Sequence, residues 1–226
     1  MTDLTQWTPR ARPERKTFEG RFVRIEPLDA ARHGDELYAA STVPDAMTRF
    51  AWLPENPPES REAFQGWLEA AEKNSDPMFY AVIDRESGKV AGRQTFMRMD
   101  PANGVAEIGN IYWGPLISRR PATTEALYLF ADHIFRELGY RRFEWKCNND
   151  NLPSKRAAER FGFSFEGVFR QHLIVKGRNR DTAWYSMIDS EWPALSSAFS
   201  AWLDPSNFDE NGEQKKRLEE FRRGSS

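Results

Sequence analysis

Only one cysteine, Cys147, occurs in the 226 residues, which excludes an intrachain disulfide and any cysteine-rich metal site. Histidine is nearly as scarce. His33, His133 and His172 lie far apart and show no ligand spacing such as His-Glu-x-x-His, so no metal is expected. No apolar run approaches the roughly 20 residues that cross a bilayer, and the polar first residues carry no signal-peptide core. There is no Asn-x-Ser/Thr sequon either. Together these absences describe a soluble, cytoplasmic protein with no membrane partner. An excess of one charge is also missing: 32 Lys and Arg face 34 Asp and Glu, for a net charge of -2. A nucleic-acid partner would need a concentrated basic face, and none is expected. The basic groups within residues 10–16 and at Arg141-Arg142 are short and read as solvated surface.

What the chain does have is aromatic mass. Sixteen Phe and eight Trp bring the aromatic share to 13%, enough for a packed core despite a mean hydropathy of -0.72. Residues 1–17 read as an N-terminal arm, 18–203 as a single domain, and the polar, charged 204–226 as a frayed or disordered tail. Alternation over 21–26 predicts a first strand, ended by Pro27. A weak helix over 29–41 follows, then a better one in which Phe64, Trp67, Leu68 and Ala71 fall at i, i+3, i+4 and i+7. Residues 78–84, 89–97 and 105–113 predict a three-strand meander, turning at 85–88 and at 101–104. A long amphipathic helix after Pro121 ends before Gly139, where a C′ glycine belongs. Beyond it come a strand over 142–147, a helix over 151–161, strands over 163–175 and 181–188, and a helix over 192–202. Helices interleaved with a mainly antiparallel sheet give a mixed α/β (α+β) class. The tryptophans of the last helix, read as exposed, make a homodimer conceivable.

Residues 110–126 carry the first functional signal. An aromatic strand ends at Gly114-Pro115, a basic loop follows, and a helix begins near Ala122. Unpaired N–H groups at a helix N-terminus, at the positive end of its dipole, suit a phosphate or pyrophosphate. Ser118, Arg119 and Arg120 precede the helix, Pro121 fits its first turn, and Thr123 and Thr124 offer hydroxyls and amides. The same residues also read as an ordinary helix start with two surface arginines. A second signal lies at 147–154, where a strand ends in asparagines. Asn151 is an N-cap by residue type, with Ser154 just inside the helix. Either these two simply start a helix, or they present polar groups to a ligand with peptide-like chemistry.

Four stretches in register, Ala106-Glu-Ile-Gly109, Pro115 to Ser118, Ala122-Thr-Thr-Glu-Ala126, and Asn151-x-x-Ser154 followed by 157–163, resemble the GCN5-related N-acetyltransferase (GNAT) superfamily. Within it, the pattern is similar to the branch of bacterial ribosomal-protein N-terminal acetyltransferases. The resemblance spans roughly residues 18–190. It implies a mostly antiparallel twisted sheet flanked by helices, acetyl-CoA as cosubstrate and an amine as acceptor. The family's pyrophosphate loop reads Gln or Arg, two residues, Gly, one residue, then Gly or Ala. Here Ser118, Pro121 and Thr123 stand at those places, and Pro121 removes one amide donor. Arg119, Arg120 and the threonine hydroxyls would compensate.

The resemblance also implies roles. The thioester would lie along residues 107–113, with the Trp113 N–H polarising its carbonyl. The amine would attack directly, so Cys147 is read as a structural thiol. Glu107 is the first candidate for general base, with Tyr112 and Asn110 orienting the amine or a water. The tyrosine that many relatives place near 158–161 is absent, and Ser154 becomes the candidate proton donor to the CoA thiolate. Trp52, Trp145, Phe169, Arg170 and Trp184 are candidate walls of the acceptor pocket. The other reading keeps the fold without the chemistry, as a catalytically idle acyl-CoA-binding or interaction module.

Overall fold

Alternation along the third strand decides the layering. Met78, Tyr80 and Val82 face one core while Phe79 and Ala81 face another, as period-two side chains in a sheet buried on both sides must. The computed structural model describes residues 3–223. Its strands are β1 (Phe18–Glu19), β2 (Val23–Pro27), β3 (Met78–Asp84), β4 (Val90–Asp100), β5 (Val105–Trp113), β6 (Arg142–Asn148), β7 (Ser164–Val175) and β8 (Arg178–Ile188). They form one sheet in the order β1-β2-β3-β4-β5-β6-β8-β7, with every neighbouring pair antiparallel except β5 and β6.

On one face, α1 (Ala30–Ser41) and α3 (Arg61–Lys73) close the smaller core through Leu37, Phe64 and Leu68. Both starts are capped as their residue types dictate. Asp29 accepts from the amides of Ala31 and Arg32, and Ser60 from that of Ala63. The short α2 (Ala46–Arg49) between them has no counterpart in the sequence reading. On the other face lies α4 (Pro121–Asp132), which continues through a π turn at His133–Glu137. Its Phe130 stacks on Phe96 with ring centroids 3.8 Å apart. Gly139 does adopt a left-handed φ of 65° just past that turn. Helices α5 (Leu152–Phe161) and α6 (Trp192–Leu203) complete the layer.

Glu125 ties this layer to the sheet. Its buried carboxylate accepts from the successive amides of Arg21, Phe22 and Val23 at 2.7, 2.6 and 2.9 Å. Three amides that enter β2 with no strand partner are thereby satisfied by one side chain.

Two expectations about the C-terminal region do not hold. The polar segment 205–223 is ordered against the body, and residues 224–226 of the expected tail lie outside the described residues. A 3₁₀ turn at Pro205–Asn207 leads to a bridge between Phe208 and Gln214 and then to α7 (Leu218–Arg223). Leu218 is completely buried, and Trp202 donates to the Gln214 side chain at 2.9 Å. Composition misled because one leucine and a few carbonyl contacts fix a segment whose average is polar. Nor are the tryptophans of α6 exposed. Trp192 and Trp202 are 4% and 3% accessible and belong to the core, so they offer no surface to a second copy. Leu218→Ala should lower the unfolding free energy by about 2–5 kcal/mol in urea denaturation, whereas a frayed tail would leave it unchanged.

Candidate functional site

Strand β5 pairs with β6 only over its first half, from Val105 opposite Arg142 to Ile108 opposite Trp145. Beyond Ile108 the two strands part. The cause is visible on the opposite edge of β5. There, Asn110 and Ile111 face the single residue Gln94 of β4, between the pairs Arg93–Tyr112 and Thr95–Gly109. This is a β-bulge, and Asn110 takes a φ of 47° to make it. Thr95 Oγ1 donates to the Gly109 carbonyl at 2.9 Å and Arg93 Nη1 reaches the Asn110 carbonyl at 3.4 Å. Arg93 is buried, pairs with Glu55, and lies over the Trp67 ring. At Gly109 a Cβ would come within 2.3 Å of Met97 Sδ, so a side chain there would have to displace that thioether.

The Gly114 N–H donates to the Ala91 carbonyl of β4 at 2.8 Å. Since amides along a strand alternate in direction, that of Trp113 turns the other way, into the gap beside β6. The Trp113 indole donates to Gln94 Oε1 at 3.1 Å, and Gln94 in turn donates to the Ala126 carbonyl of α4. Trp113, Trp145 and Phe161 pack around the opening with centroid separations of 6.1–6.4 Å.

Loop 114–120 bonds to itself. The amides of Ser118, Arg120 and Thr123 donate to the carbonyls of Gly114, Ile117 and Arg120. Arg119 holds a φ of 64°. Arg120 occupies the N-cap without a side-chain hydrogen bond, and Pro121 fills the first turn. The amides of Arg119 and Ala122 therefore have no backbone acceptor among the described residues, at a helix start with no side-chain cap. Of the two threonine hydroxyls only that of Thr124 keeps a proton to donate. Thr123 donates to the Arg120 carbonyl at 3.0 Å, and Thr124 accepts from Arg160 at 3.0 Å. Of the arginines, Arg119 is exposed and Arg120 lies 3.6 Å from Glu86.

Across the gap, Asn151 caps α5 by accepting from the Ser154 amide at 3.2 Å. Ser154 Oγ accepts the Trp145 indole N–H at 3.0 Å, which leaves its own proton free to donate. The neighbouring Cys147 is buried. Burial pushes its thiol above the ordinary range, and contact with Ser154 only partly opposes that.

On the opposite face of the sheet, Glu107 heads a chain of alternating charges. It pairs with Arg98 and with Lys146 Nζ, each at 2.8 Å. Lys146 also meets Glu144 at 2.6 Å, and Arg142 bridges Glu144 and Glu166. Lys146 sits 3.7 Å above the Trp184 ring, which in turn lies 4.5 Å from Phe169. Tyr112 is drawn elsewhere. Its hydroxyl donates to the Ala40 carbonyl within a cluster of Phe50 and Leu53, and burial pushes it up to about 12.

Trp113, Ser118–Thr124, Asn151 and Ser154 lie at or just beyond the carboxyl ends of the adjacent parallel strands β5 and β6, whereas Glu107 lies near the start of β5 on the opposite face. Tyr112 points into the small cluster. Of the expected wall residues, Phe169 and Trp184 pack together, whereas Trp145 lies on the Ser154 side within the core. Trp52 and Arg170 are exposed. Sequence reasoning passed over Gln94, Lys146, Arg93 and Arg180. Only their pairing across strands reveals them, and no local motif marks it.

The description "Acetyltransferase (GNAT) domain" matches residues 23–164. A GCN5-related N-acetyltransferase of known crystal structure from Brucella melitensis is 67% identical, with a TM-score of 0.97, over 97% of this chain and 100% of that one. A GNAT-family protein from Chromobacterium violaceum, described as a probable acetyltransferase, is 38% identical with a TM-score of 0.79, over 86% of this chain and 96% of that one. Among curated relatives, the uncharacterised N-acetyltransferase p20 of Bacillus licheniformis is 30% identical over 117 residues, 50% of this chain and 63% of that protein. YdaF of Bacillus subtilis, named as a candidate ribosomal N-acetyltransferase, is 31% identical over 106 residues, 46% of this chain and 57% of that protein. The matched region spans less than two thirds of either curated relative. With its sheet parted beside a helix start that has no side-chain cap, and with a family match over most of its length, the chain belongs to the GNAT acetyltransferases.

Proposed function

We propose that the protein transfers an acetyl group from acetyl-CoA to a primary amine, either a protein N-terminus or a small molecule, by direct attack in a ternary complex. The observation that carries this reading is the gap between β5 and β6, into which the Trp113 amide turns. A slot between two strand edges offers peptide donors and acceptors to pantetheine, whose own amides need them. The open amides of Arg119 and Ala122, with the guanidinium groups of Arg119 and Arg120, suit a pyrophosphate despite Pro121. In the gap, the Trp113 N–H stabilises the oxyanion that forms when the amine adds to the thioester carbonyl.

Collapse of that adduct expels the CoA thiolate, and in this reading Ser154 passes it a proton and regains one from water. Its hydroxyl receives the Trp145 N–H and so presents its own proton. On the amine side, Glu107 removes the proton, directly or through water. Arg98 and Lys146 fix its carboxylate in one orientation. An α-amine, with a pKa of about 8, needs less help at neutral pH than a lysine amine near 10.4. The likeness to YdaF over part of the chain supports a protein N-terminus as one acceptor class.

Titration calorimetry with acetyl-CoA tests the reading first: micromolar binding is expected, and no binding at millimolar ligand would end it. Glu107→Gln should lower turnover about tenfold or more with CoA affinity nearly unchanged. Equal activity would remove Glu107 from the mechanism. Arg119→Ala combined with Arg120→Ala should weaken CoA binding by a factor that shrinks as salt is raised. Cys147→Ala should keep turnover within about twofold of the parent, because no acyl-enzyme forms and a buried thiol with a raised pKa is a poor nucleophile.

A further inference from the structure

The chain from Arg98 through Glu107, Lys146, Glu144 and Arg142 to Glu166 alternates in sign along its whole length and sums to zero. One cation beside it is left over. Arg180, on β8 opposite Leu173 of β7, is half-buried and makes a single side-chain hydrogen bond, from Nε to Thr182 Oγ1 at 3.2 Å. It has no ion pair among the described residues, and both terminal nitrogens of its fork are unengaged. The acids nearest in sequence do not take it. Asp181 is occupied by the Gln171 amide at 2.7 Å and the Asn179 side chain at 2.9 Å.

Burial works against the charge of Arg180, while Glu107 attracts it and Arg98 opposes it. Arg180, Thr182 and Trp184 alternate onto one face of β8, the face on which Trp184 meets Lys146 and Lys146 meets Glu107. The setting of Arg180 is built. The bulge in β7 between Phe169 and Leu173 brings His172 back over the strand pair, where its ring nitrogen meets Thr182 Oγ1 at 3.0 Å. Thr182 is thereby held from both sides, and it holds Arg180. The neighbouring Phe169 and Trp184 supply an apolar wall.

We infer that Arg180 receives a carboxylate that the acetyl acceptor carries close to its amine. The inference rests on the acetyltransferase reading above and narrows its acceptor. A planar fork with two free N–H-bearing nitrogens matches a carboxylate in two-point contact. A half-buried cation beside a neutral ion chain gains most from an anion that arrives with the ligand. An amine at Glu107 with a carboxylate at Arg180 has the charge pattern of an α-amino acid. An aspartate or glutamate side chain near a peptide N-terminus would present the same group.

Two probe pairs, offered to the full chain saturated with CoA, test this by calorimetry: phenylalanine against phenylalaninamide, and the dipeptide amides Ser-Asp-NH2 against Ser-Asn-NH2. In at least one pair the carboxylate should bind about tenfold tighter or more than its amide. The pair that shows the difference identifies the source of the carboxylate. Arg180→Ala should erase that preference while leaving acetyl-CoA affinity unchanged. Arg180→Lys, which keeps the charge but not the fork, should restore part of it and covers the case in which the alanine variant fails to fold. Equal binding within both pairs, binding by neither carboxylate, or a preference that survives in both variants would overturn the inference. Failure of the wild-type chain to bind acetyl-CoA would instead strike at the acetyltransferase reading.

Discussion

Two hydrogen bonds, from Thr95 to the Gly109 carbonyl and from Arg93 to the Asn110 carbonyl, hold β5 out of register with its neighbour. In a continuous sheet, residues 109–111 would pair with 146–148 and their edges would be saturated. One extra residue bends the strand away, and both edges keep unmatched peptide groups. The candidate cofactor site depends on that separation: the direction of the Trp113 amide and the room beside Ser154. The bulge is secured from beneath. Arg93 is buried against Trp67 and paired with Glu55, so the loop before α3 is anchored to the same guanidinium that stabilises the bulge. A positive φ at a non-glycine residue costs on the order of 1–3 kcal/mol and persists because these neighbours over-determine it.

The two faces of the sheet divide the chemistry. On the α5 face, neutral hydrogen bonds predominate, through Trp145, Ser154 and the Asn151 cap. Ion pairs predominate on the other, where Glu107 and Lys146 are almost completely enclosed. Buried ions are costly unless each finds a partner, and the alternating chain provides one at every step. The same enclosure fixes the geometry of Glu107, which a solvent-exposed carboxylate on a mobile strand end would lack.

Much of the fold was legible in the sequence. Strands β3 and β5 agree with their expected bounds to the residue, and the cap of α5 announced itself through Asn151. These are local signals, set by alternation and by side chains that bond to nearby amides. The remainder was not local. Asn110 tolerates a left-handed conformation better than most residues, but its place inside an alternating strand gave no local mark of the bulge. Lys146 looks like any strand lysine until the parallel crossing brings Glu107 and Glu144 to either side of it. The loop threonines illustrate the limit well. Their type suggested anion-binding hydroxyls, but Thr123 turns back on the Arg120 carbonyl and Thr124 meets Arg160 from α5, 36 positions away in sequence.

Strand β7 closes the sheet with one edge bare. Phe165, Phe169, Leu173 and Ile174 are all substantially exposed along it. A long, flat strand of that composition would template the addition of further chains, the first step of fibril growth. The register shifts between Phe165 and Gly167 and between Phe169 and Leu173 cut it into short segments that no straight incoming strand can follow. The irregularity that seats His172 above Thr182 therefore also keeps an apolar margin from becoming a nucleus for aggregation.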